Sequence, residues 1–438
     1  MNSNLNNPLN SLSDWLAYLE HLHPKAIEMG LERIDCVRAD LQLSPDFPVI
    51  TVGGTNGKGS VCAILESILN AAGYRVGCYT SPHLLRYNER IRINRKAVDD
   101  RWITEAFEQI EQSRNKCDIS LTYFEFGTLV AMCLFESQKI DVAILEVGLG
   151  GRLDAVNIFD PACAVLTNVA LDHMDYLGDT REAIGFEKAG IFRSGKPAVC
   201  ADTNVPITVQ HHAQTIDAQL IQLGQDFGFT AGMDHWDFWS KKRKRSALPL
   251  PALRGVCQLI NASTCLAALD ALNDRLPVSM QAIRQGLLNV DLPGRFQVLA
   301  TRPVTILDVA HNPAAAEVFA ANLRWVKQGN TDGRTFAVIA MLQDKDISGV
   351  ISALKDDIDI WLLAPIKLLR GADTRSLLQN LYKSGISREN HAIYEFENTE
   401  SAYVYACKQA SNNDRICVVG SFHTVGAVLQ YLERKNCQ

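Results

Sequence analysis

A short apolar strand that runs straight into a glycine-rich turn and then into a helix leaves few folds open to this chain. Val49-Ile-Thr-Val52 is the strand, Gly53-Gly-Thr-Asn-Gly-Lys-Gly-Ser60 the turn, and Val61 to Ala72 the helix, stopped by Gly73. Such a turn exposes consecutive backbone N–H groups, and the helix N-terminus adds the positive end of a dipole, so the matching ligand is a phosphate. Lys58 has the reach for outer phosphates, and Ser60 offers a hydroxyl to a phosphate or to Mg²⁺. The text departs from an ordinary Walker A motif. Val52 stands where that motif has its first Gly, and Gly59 follows the Lys where it has Ser or Thr.

The surrounding segments repeat the same alternation. Arg75 to Thr80, Asp141 to Val147 and Ala162 to Thr167 are near-continuous apolar runs, the pattern of parallel strands buried on both faces. Strands alternating with helices predict an α/β fold, a doubly wound sheet with ligands at the carboxyl ends of its strands. Leu16, Leu19 and Leu22 share one face of an N-terminal helix that Ser13 or Asp14 would cap. Leu248 to Gly255 reads as a loop, Asn261 to Asn273 as a helix and Leu292-Pro-Gly-Arg295 as a linker. After it the alternation restarts at Val304 to Val309, Phe336 to Met341, Ile360 to Ala364 and Ile416 to Gly420. The expected organisation is a large domain over 1–294 and a smaller α/β domain over 295–438.

Charge and cysteine usage exclude several classes. With 43 basic against 49 acidic residues the net charge is −6, which opposes general binding to nucleic acid or anionic membranes. Lys241-Lys-Arg-Lys-Arg245 is the one strong basic run, and it reads as a solvated loop. No apolar run reaches the roughly 18 residues of a membrane span, and Met1 to Ser13 lacks a basic-then-apolar signal pattern. The 12 cysteines include no C-x-x-C pair, so free thiols in a reducing cytoplasm are expected rather than disulfides or zinc. Asn115-Lys-Cys-Asp118 and Asp175-Tyr-Leu-Gly178 mimic GTPase motifs, but in reversed order, and the first follows a helix-like segment instead of a strand.

Further motifs follow the turn in order: Thr80-Ser-Pro-His83, Leu121-Thr-Tyr-Phe-Glu125, Glu146-Val-Gly-Leu-Gly-Gly-Arg-Leu-Asp154, Leu171-Asp-His173 and Glu187-Lys-Ala-Gly190. Leu307-Asp-Val-Ala-His-Asn-Pro313 and Gly420-Ser-Phe-His-Thr424 extend the set into the second domain. From about Trp15 to Val428 the chain resembles the dihydrofolate synthase/folylpolyglutamate synthase family of the Mur ligase superfamily. The resemblance implies a P-loop, Mur-ligase-like N-terminal domain that binds ATP and pterin, and a Rossmann-like C-terminal glutamate ligase domain. It implies an ATP-dependent amide ligase that joins L-glutamate to dihydropteroate or to a reduced folate through an acyl phosphate. A carboxylate is a poor acyl donor at neutral pH, and such a site must gather ATP, a carboxylate and an amine while neutralising negative charge.

The same resemblance assigns residues. Thr55, Asn56, Gly57, Lys58, Gly59, Ser60, Asn261, Arg295 and Asp308 would contact ATP, placing the nucleotide in a cleft that closes over it. Ser81, Glu146 and His173 would ligate two Mg²⁺ ions; by residue type alone, Ser81 is a turn residue and His173 a structural histidine or a ligand for a softer metal. Lys188, a surface lysine on the bland reading, would be carbamylated and join the metal ligands, which needs a desolvated amine of lowered pKa. Lys58, Lys188 and His311 would be catalytic, with His311 and Ser421 toward glutamate. Glu28, Met29, Gly30, Leu31, Thr122, Tyr123, Phe124, Glu125, Leu153, Asp154 and Ala155 would hold the pterin: Tyr123 and Phe124 as a flat wall, or as core packing, and Asp154 as an acceptor. The family often has Trp where this chain has Tyr176. The expected protein is a cytoplasmic monomer that binds neither nucleic acid nor membrane. Its rivals are a monofunctional folylpolyglutamate synthase, a muramyl-peptide ligase and, from another class, a non-catalytic nucleotide-binding regulator.

Overall fold

A computed structural model describes residues 10–25, 27–299, 301–327 and 333–436. Most of the stretch from Met1 to Ser13, which lacks a signal pattern in sequence, therefore lies outside the described residues. Among the described residues, no helix is long and apolar enough to cross a membrane, and the cysteines are free thiols.

Contacts divide the chain into two units, and the division is not a single cut after residue 294. One unit runs to His83, resumes over Tyr87–Leu250 and ends with Leu259–Val290; the other takes Leu84–Arg86, Pro251–Gln258 and everything from Asp291.

In the first unit, β1 (Val49–Gly53), β2 (Val76–Tyr79), β3 (Ile91–Ile93), β4 (Lys96–Ala97), β5 (Val142–Glu146), β6 (Cys163–Leu166), β7 (Pro197–Cys200) and β8 (Gln219–Gln222) form one sheet. Their order is β4-β3-β2-β5-β1-β6-β7-β8. All neighbours from β2 to β8 are parallel, and β3 and β4 pair antiparallel at the edge. β1 and β5 are buried at every residue, which explains their unbroken apolar text. Val52 sits opposite both Glu146 and Val165, so β1, β5 and β6 end together. The chain leaves β1 toward β2 and leaves β5 toward β6, in opposite directions across the sheet, which opens a crevice at that edge.

Local boundaries differ from the sequence reading in three places. The helix after β1 is Lys58–Ala71, so Lys58 belongs to its first turn. The N-terminal helix, Leu12–Leu22, is capped by Ser11 in a reciprocal capping box with Asp14. The helix read as Asn261 to Asn273 is Gln258–Ala271, so Asn261 lies in its first turn.

The basic run is not a loop. β9 (Phe227–Ala231), β10 (His235–Ser240) and β11 (Lys244–Pro249) make a separate antiparallel sheet, and the run forms the β10–β11 turn and the start of β11. Arg245 points inward, where its Nη1 and Nη2 donate to the two Asp270 oxygens at 3.1 and 2.5 Å. A buried carboxylate thus neutralises the residue that made the run look uniformly solvated.

The second unit holds β12 (Gln297–Leu299), β13 (Val304–Asp308), β14 (Thr335–Ile339), β15 (Ile360–Leu363), β16 (Ala392–Glu395) and β17 (Arg415–Val419) in the order β12-β13-β17-β14-β15-β16. The four strands expected from the apolar runs are its interior. The two edge strands, only partly buried, left no comparable signal.

Candidate active site

The turn after β1 is shaped by glycines and latched by the segment after β6. Gly54 has φ +139, and a Cβ there would lie 1.9 Å from Thr167 Oγ1; Gly57 has φ +88 and abuts Asn261 Oδ1. Thr167 Oγ1 donates to Asn56 O at 2.7 Å, Thr55 N donates to Asn168 O at 2.9 Å, and Asn56 N donates to Asn168 Oδ1 at 2.8 Å. The N–H groups of Thr55 and Asn56 are therefore spent on Asn168. Those at the mouth of the helix, from Gly57 to Ser60, are the ones an anion would meet. Asn168, which latches the turn, was passed over in the sequence, although its place just after a parallel strand marked it.

Two lysines meet at this turn. Lys58 Nζ donates to Gly54 O and Thr55 O, each at 3.1 Å, and Lys188 Nζ donates to the same Gly54 O at 3.0 Å. Lys188 is not a surface lysine. It lies on the helix Arg181–Ala189, four residues after buried Ile184, and is itself 4% exposed. Burial lowers its pKa from 10.5 to about 7; the Lys58 charge acts in the same direction, while Asp172 and Asp154 oppose it.

Glu146 ends β5, is buried, and its Oε2 accepts from Ser81 N at 3.0 Å. This contact brings the carboxylate and the Ser81 residue together. His173 has φ +53 and opens the short helix Met174–Leu177, with its N–H on Asp172 Oδ1 at 2.9 Å. Among the described residues, no three His, Cys, Asp or Glu side chains gather as a metal cage. One buried carboxylate held against the Ser81 backbone suits Mg²⁺, which takes oxygen ligands and is bound through one or two carboxylates plus substrate phosphates and water. The residues thus fit a cation that arrives with a nucleotide.

A cavity of about 230 Å³ opens in the same unit, and Ser81 and His173 share its wall with Glu28, Phe124, Glu125 and Asp154. Met29, Gly30, Thr122, Leu153 and Ala155 also line it; Leu31 and Tyr123 do not. Leu31 instead precedes the helix Glu32–Asp40. Tyr123 packs edge-on to Tyr87, with the Arg90 guanidinium 5.4 Å from its ring, so for Tyr123 core packing wins. Phe124 is the aromatic wall, backed by Tyr79 at 5.7 Å. Gly148 gives that ring room, since a Cβ there would come within 2.7 Å of it.

The cavity carboxylates have prior partners. Thr122 and Glu125 form a capping box on the helix Tyr123–Ser137, and Arg33 Nη2 donates to Glu125 Oε1 at 3.0 Å. Asp154 Oδ1 and Oδ2 accept from Val156 N and Leu149 N at 3.1 and 2.8 Å, and burial pushes its pKa up to about 7. Arg90 lines the cavity without having been singled out, and Arg33 stands behind it; an isolated arginine carries no sequence signal.

In the second unit, Asp308 ends β13 and pins the backbone, accepting from Phe296 N and Ala310 N at 2.8 Å each. Burial raises its pKa, against the Arg295 charge. Arg295 lies 5.3 Å from the Phe422 ring, and the His311 ring lies 6.3 Å from it, so Phe422 joins the two. Ser421 accepts from Thr424 N at 3.0 Å where the helix Phe422–Asn436 begins. The motif around Gly420 contained Phe422, but spacing alone gave it no role.

With the geometry in hand, comparisons with known proteins agree on one family. The Mur ligase middle domain matches residues 52–268, and the Mur ligase glutamate ligase domain matches 294–422. The Escherichia coli dihydrofolate synthase/folylpolyglutamate synthase is 46% identical, over 97% of this chain and 96% of its own length. The E. coli FolC structure in complex with DHPP and ADP superposes with a TM-score of 0.91 at 45% identity, covering 97% of this chain and 98% of that one. A bifunctional folylpolyglutamate synthase/dihydrofolate synthase with Mn, AMPPNP and L-glutamate bound gives 0.88 at 46% identity, covering 97% and 98%.

Proposed function

Because the chain belongs to the dihydrofolate synthase/folylpolyglutamate synthase family of Mur ligases, we propose that this site joins L-glutamate to dihydropteroate and to reduced folates at the expense of ATP. One observation carries the reading. Ser81 and His173, to which the family resemblance assigns the cation, line the same cavity as Phe124 and Asp154. A heterocycle held there keeps its carboxylate tail in the same unit as the phosphate loop.

The division of labour follows. The N–H groups from Gly57 to Ser60 and the Lys58 ammonium hold the ATP phosphates and offset their charge. ATP transfers its terminal phosphoryl group to the substrate carboxylate, ADP leaves that group, and the carboxylate becomes an acyl phosphate. The glutamate amine attacks the acyl carbon, phosphate departs with the electrons of the broken C–O bond, the nitrogen gives up a proton, and an amide bond remains. Ser81, Glu146 and His173 would hold Mg²⁺ at two sites, and the bound cations would supply electrostatic stabilisation of the transferring phosphoryl oxygens. Lys188, whose burial lowers its pKa to about 7, takes up carbon dioxide as a carbamate in its neutral form; the amine nitrogen bonds to carbon, one proton leaves, and a neutral amine beside Lys58 becomes an anion. Asn261, Arg295 and Asp308 serve the nucleotide, and His311 and Ser421 the glutamate. The protein acts as a monomer in the cytoplasm.

Phosphate release from MgATP and glutamate tests this reading, with dihydropteroate and tetrahydrofolate as parallel acceptors. Release with both is expected. Release with tetrahydrofolate alone assigns the monofunctional activity, and none with either acceptor overturns the proposal.

A further inference from the structure

Three carboxylates line the cavity, and two are already committed to the protein's own backbone or to an internal ion pair. Asp154 accepts from two backbone N–H groups. Glu125 accepts from Thr122 N at 2.7 Å and from Arg33. Glu28 is held by side chains: His23 Nε2 at 3.2 Å from Oε2, with Lys25 Nζ and Arg33 Nη1 each 3.6 Å from Oε1. Its side chain is 31% exposed. Asp154 and Glu125 are buried, so of the three it is Glu28 whose remaining lone-pair positions a ligand in the cavity can reach.

His23 is the anchor of this arrangement. It is outside the cavity lining, and its side chain is only 5% exposed. It ends the helix Leu12–Leu22 with extended backbone, φ −110 and ψ 136, the conformation that the following Pro24 favours. Its Nδ1 lies 3.2 Å from Lys25 N and 2.9 Å from Lys25 O. A neutral ring whose Nδ1 accepts from Lys25 N carries its proton on Nε2. A charged ring donates from Nδ1 to Lys25 O and from Nε2 as well. Both of these forms present an N–H to Glu28, and the carboxylate oxygen 3.2 Å from Nε2 disfavours the remaining tautomer, whose only proton sits on Nδ1. Arg33 fixes the same residue from its other end, with Nη2 donating to Glu28 O at 2.9 Å.

We propose that His23 is a positioning residue for the ligase reaction: it aims the Glu28 carboxylate into the cavity, where Glu28 accepts the adjacent N–H groups of the substrate's pterin ring. A carboxylate facing two neighbouring ring N–H donors makes a charge-assisted, bidentate pair, and orientation decides whether both bonds form. The proposal rests on the reading of this cavity as the pterin site.

Steady-state kinetics on His23→Leu, His23→Gln and Glu28→Ala test it in the full chain. His23→Leu removes the Nε2 donor and is expected to raise KM for dihydropteroate on the order of ten-fold, the scale of one lost hydrogen bond to a charged group. Its kcat and its KM for ATP stay within about two-fold of wild type. His23→Gln retains a donor and recovers most of the loss. Glu28→Ala raises the same KM, and combining it with His23→Leu adds little more. If His23→Leu does not yield folded protein, His23→Asn, polar but too short to reach, is read in the same way. An unchanged dihydropteroate KM in the His23 variants, with Glu28→Ala impaired, overturns the positioning role alone. An unchanged KM in Glu28→Ala overturns the cavity assignment beneath it. Equal rises in both KM values reduce His23 to a structural part.

Discussion

Replacing Lys188 by Met should make the protein more stable at neutral pH while abolishing its turnover. The side chain is buried, and its pKa falls from 10.5 to about 7. At 1.36 kcal/mol per unit, that shift amounts to about 5 kcal/mol of destabilisation when the unfolded chain is protonated and the folded amine is not, or is charged against its surroundings. The sign follows from proton counts. Between about pH 7 and 10.5 the unfolded chain binds more protons at this lysine than the folded one, so stability rises with pH. The penalty is full below pH 7 and gone above 10.5. Methionine keeps most of the volume and removes the amine. The lost bond to Gly54 O offsets about 1 kcal/mol, which leaves a net gain of about 3–4 kcal/mol at pH 7.

Urea unfolding of both proteins in carbon-dioxide-free buffers at pH 7, 8, 9 and 10 measures the difference. The advantage of Lys188→Met should shrink by about 1.4 kcal/mol per pH unit. A difference that does not vary with pH, or a variant that is less stable at pH 7, would refute a depressed pKa. Bicarbonate adds a second arm: it should stabilise the wild type and not the variant, and it should fail to rescue turnover in Lys188→Met or Lys188→Ala. Wild-type turnover in either variant would sink the carbamate.

Gly54→Ala drives a Cβ to within 1.9 Å of Thr167 Oγ1 at a backbone angle of +139°; calorimetry should show ATP binding lost and dihydropteroate binding kept. Gly148→Ala pushes on Phe124, with 2.7 Å between the new Cβ and the ring; several-fold weaker dihydropteroate binding with little change for ATP is expected from titration. Asp270→Ala leaves the Arg245 guanidinium buried without its carboxylate; urea unfolding should record a loss of about 3–5 kcal/mol.

What the sequence made legible, and what it hid, divides along the range of the interactions. β1, β5 and β6 were readable because strands buried on both faces must be apolar throughout, and the turn after β1 because its backbone angles demand glycine at fixed places. The latch on that turn was not, because Asn56 and Asn168 stand 112 residues apart and each is polar in a way any loop would tolerate. Arg245 was misread for a related reason. In a run of five basic residues nothing local says which one turns inward, since the answer lies in Asp270 on another element. Tyr123 and Phe124 are neighbours of the same type, yet only Phe124 reaches the cavity, because adjacent helix residues point about 100° apart.

Lys188 is the instructive intermediate case. Ile184 and Lys188 are four residues apart on one helix, so the periodicity that identifies a core face also carries an amine onto it. A cation on an apolar stripe breaks the rule that the rest of the helix keeps, and such a breach costs stability unless something else is gained. The structure supplies the second half of that inference. The same amine shares the Gly54 carbonyl with Lys58, where a positive neighbour makes protonation still harder. Two lysines on one carbonyl make little sense as structural parts, since each raises the cost of charging the other. They are consistent if one stays protonated against phosphate and the other gives up its proton to react, which is the pair of roles that the stability and turnover of Lys188→Met would separate.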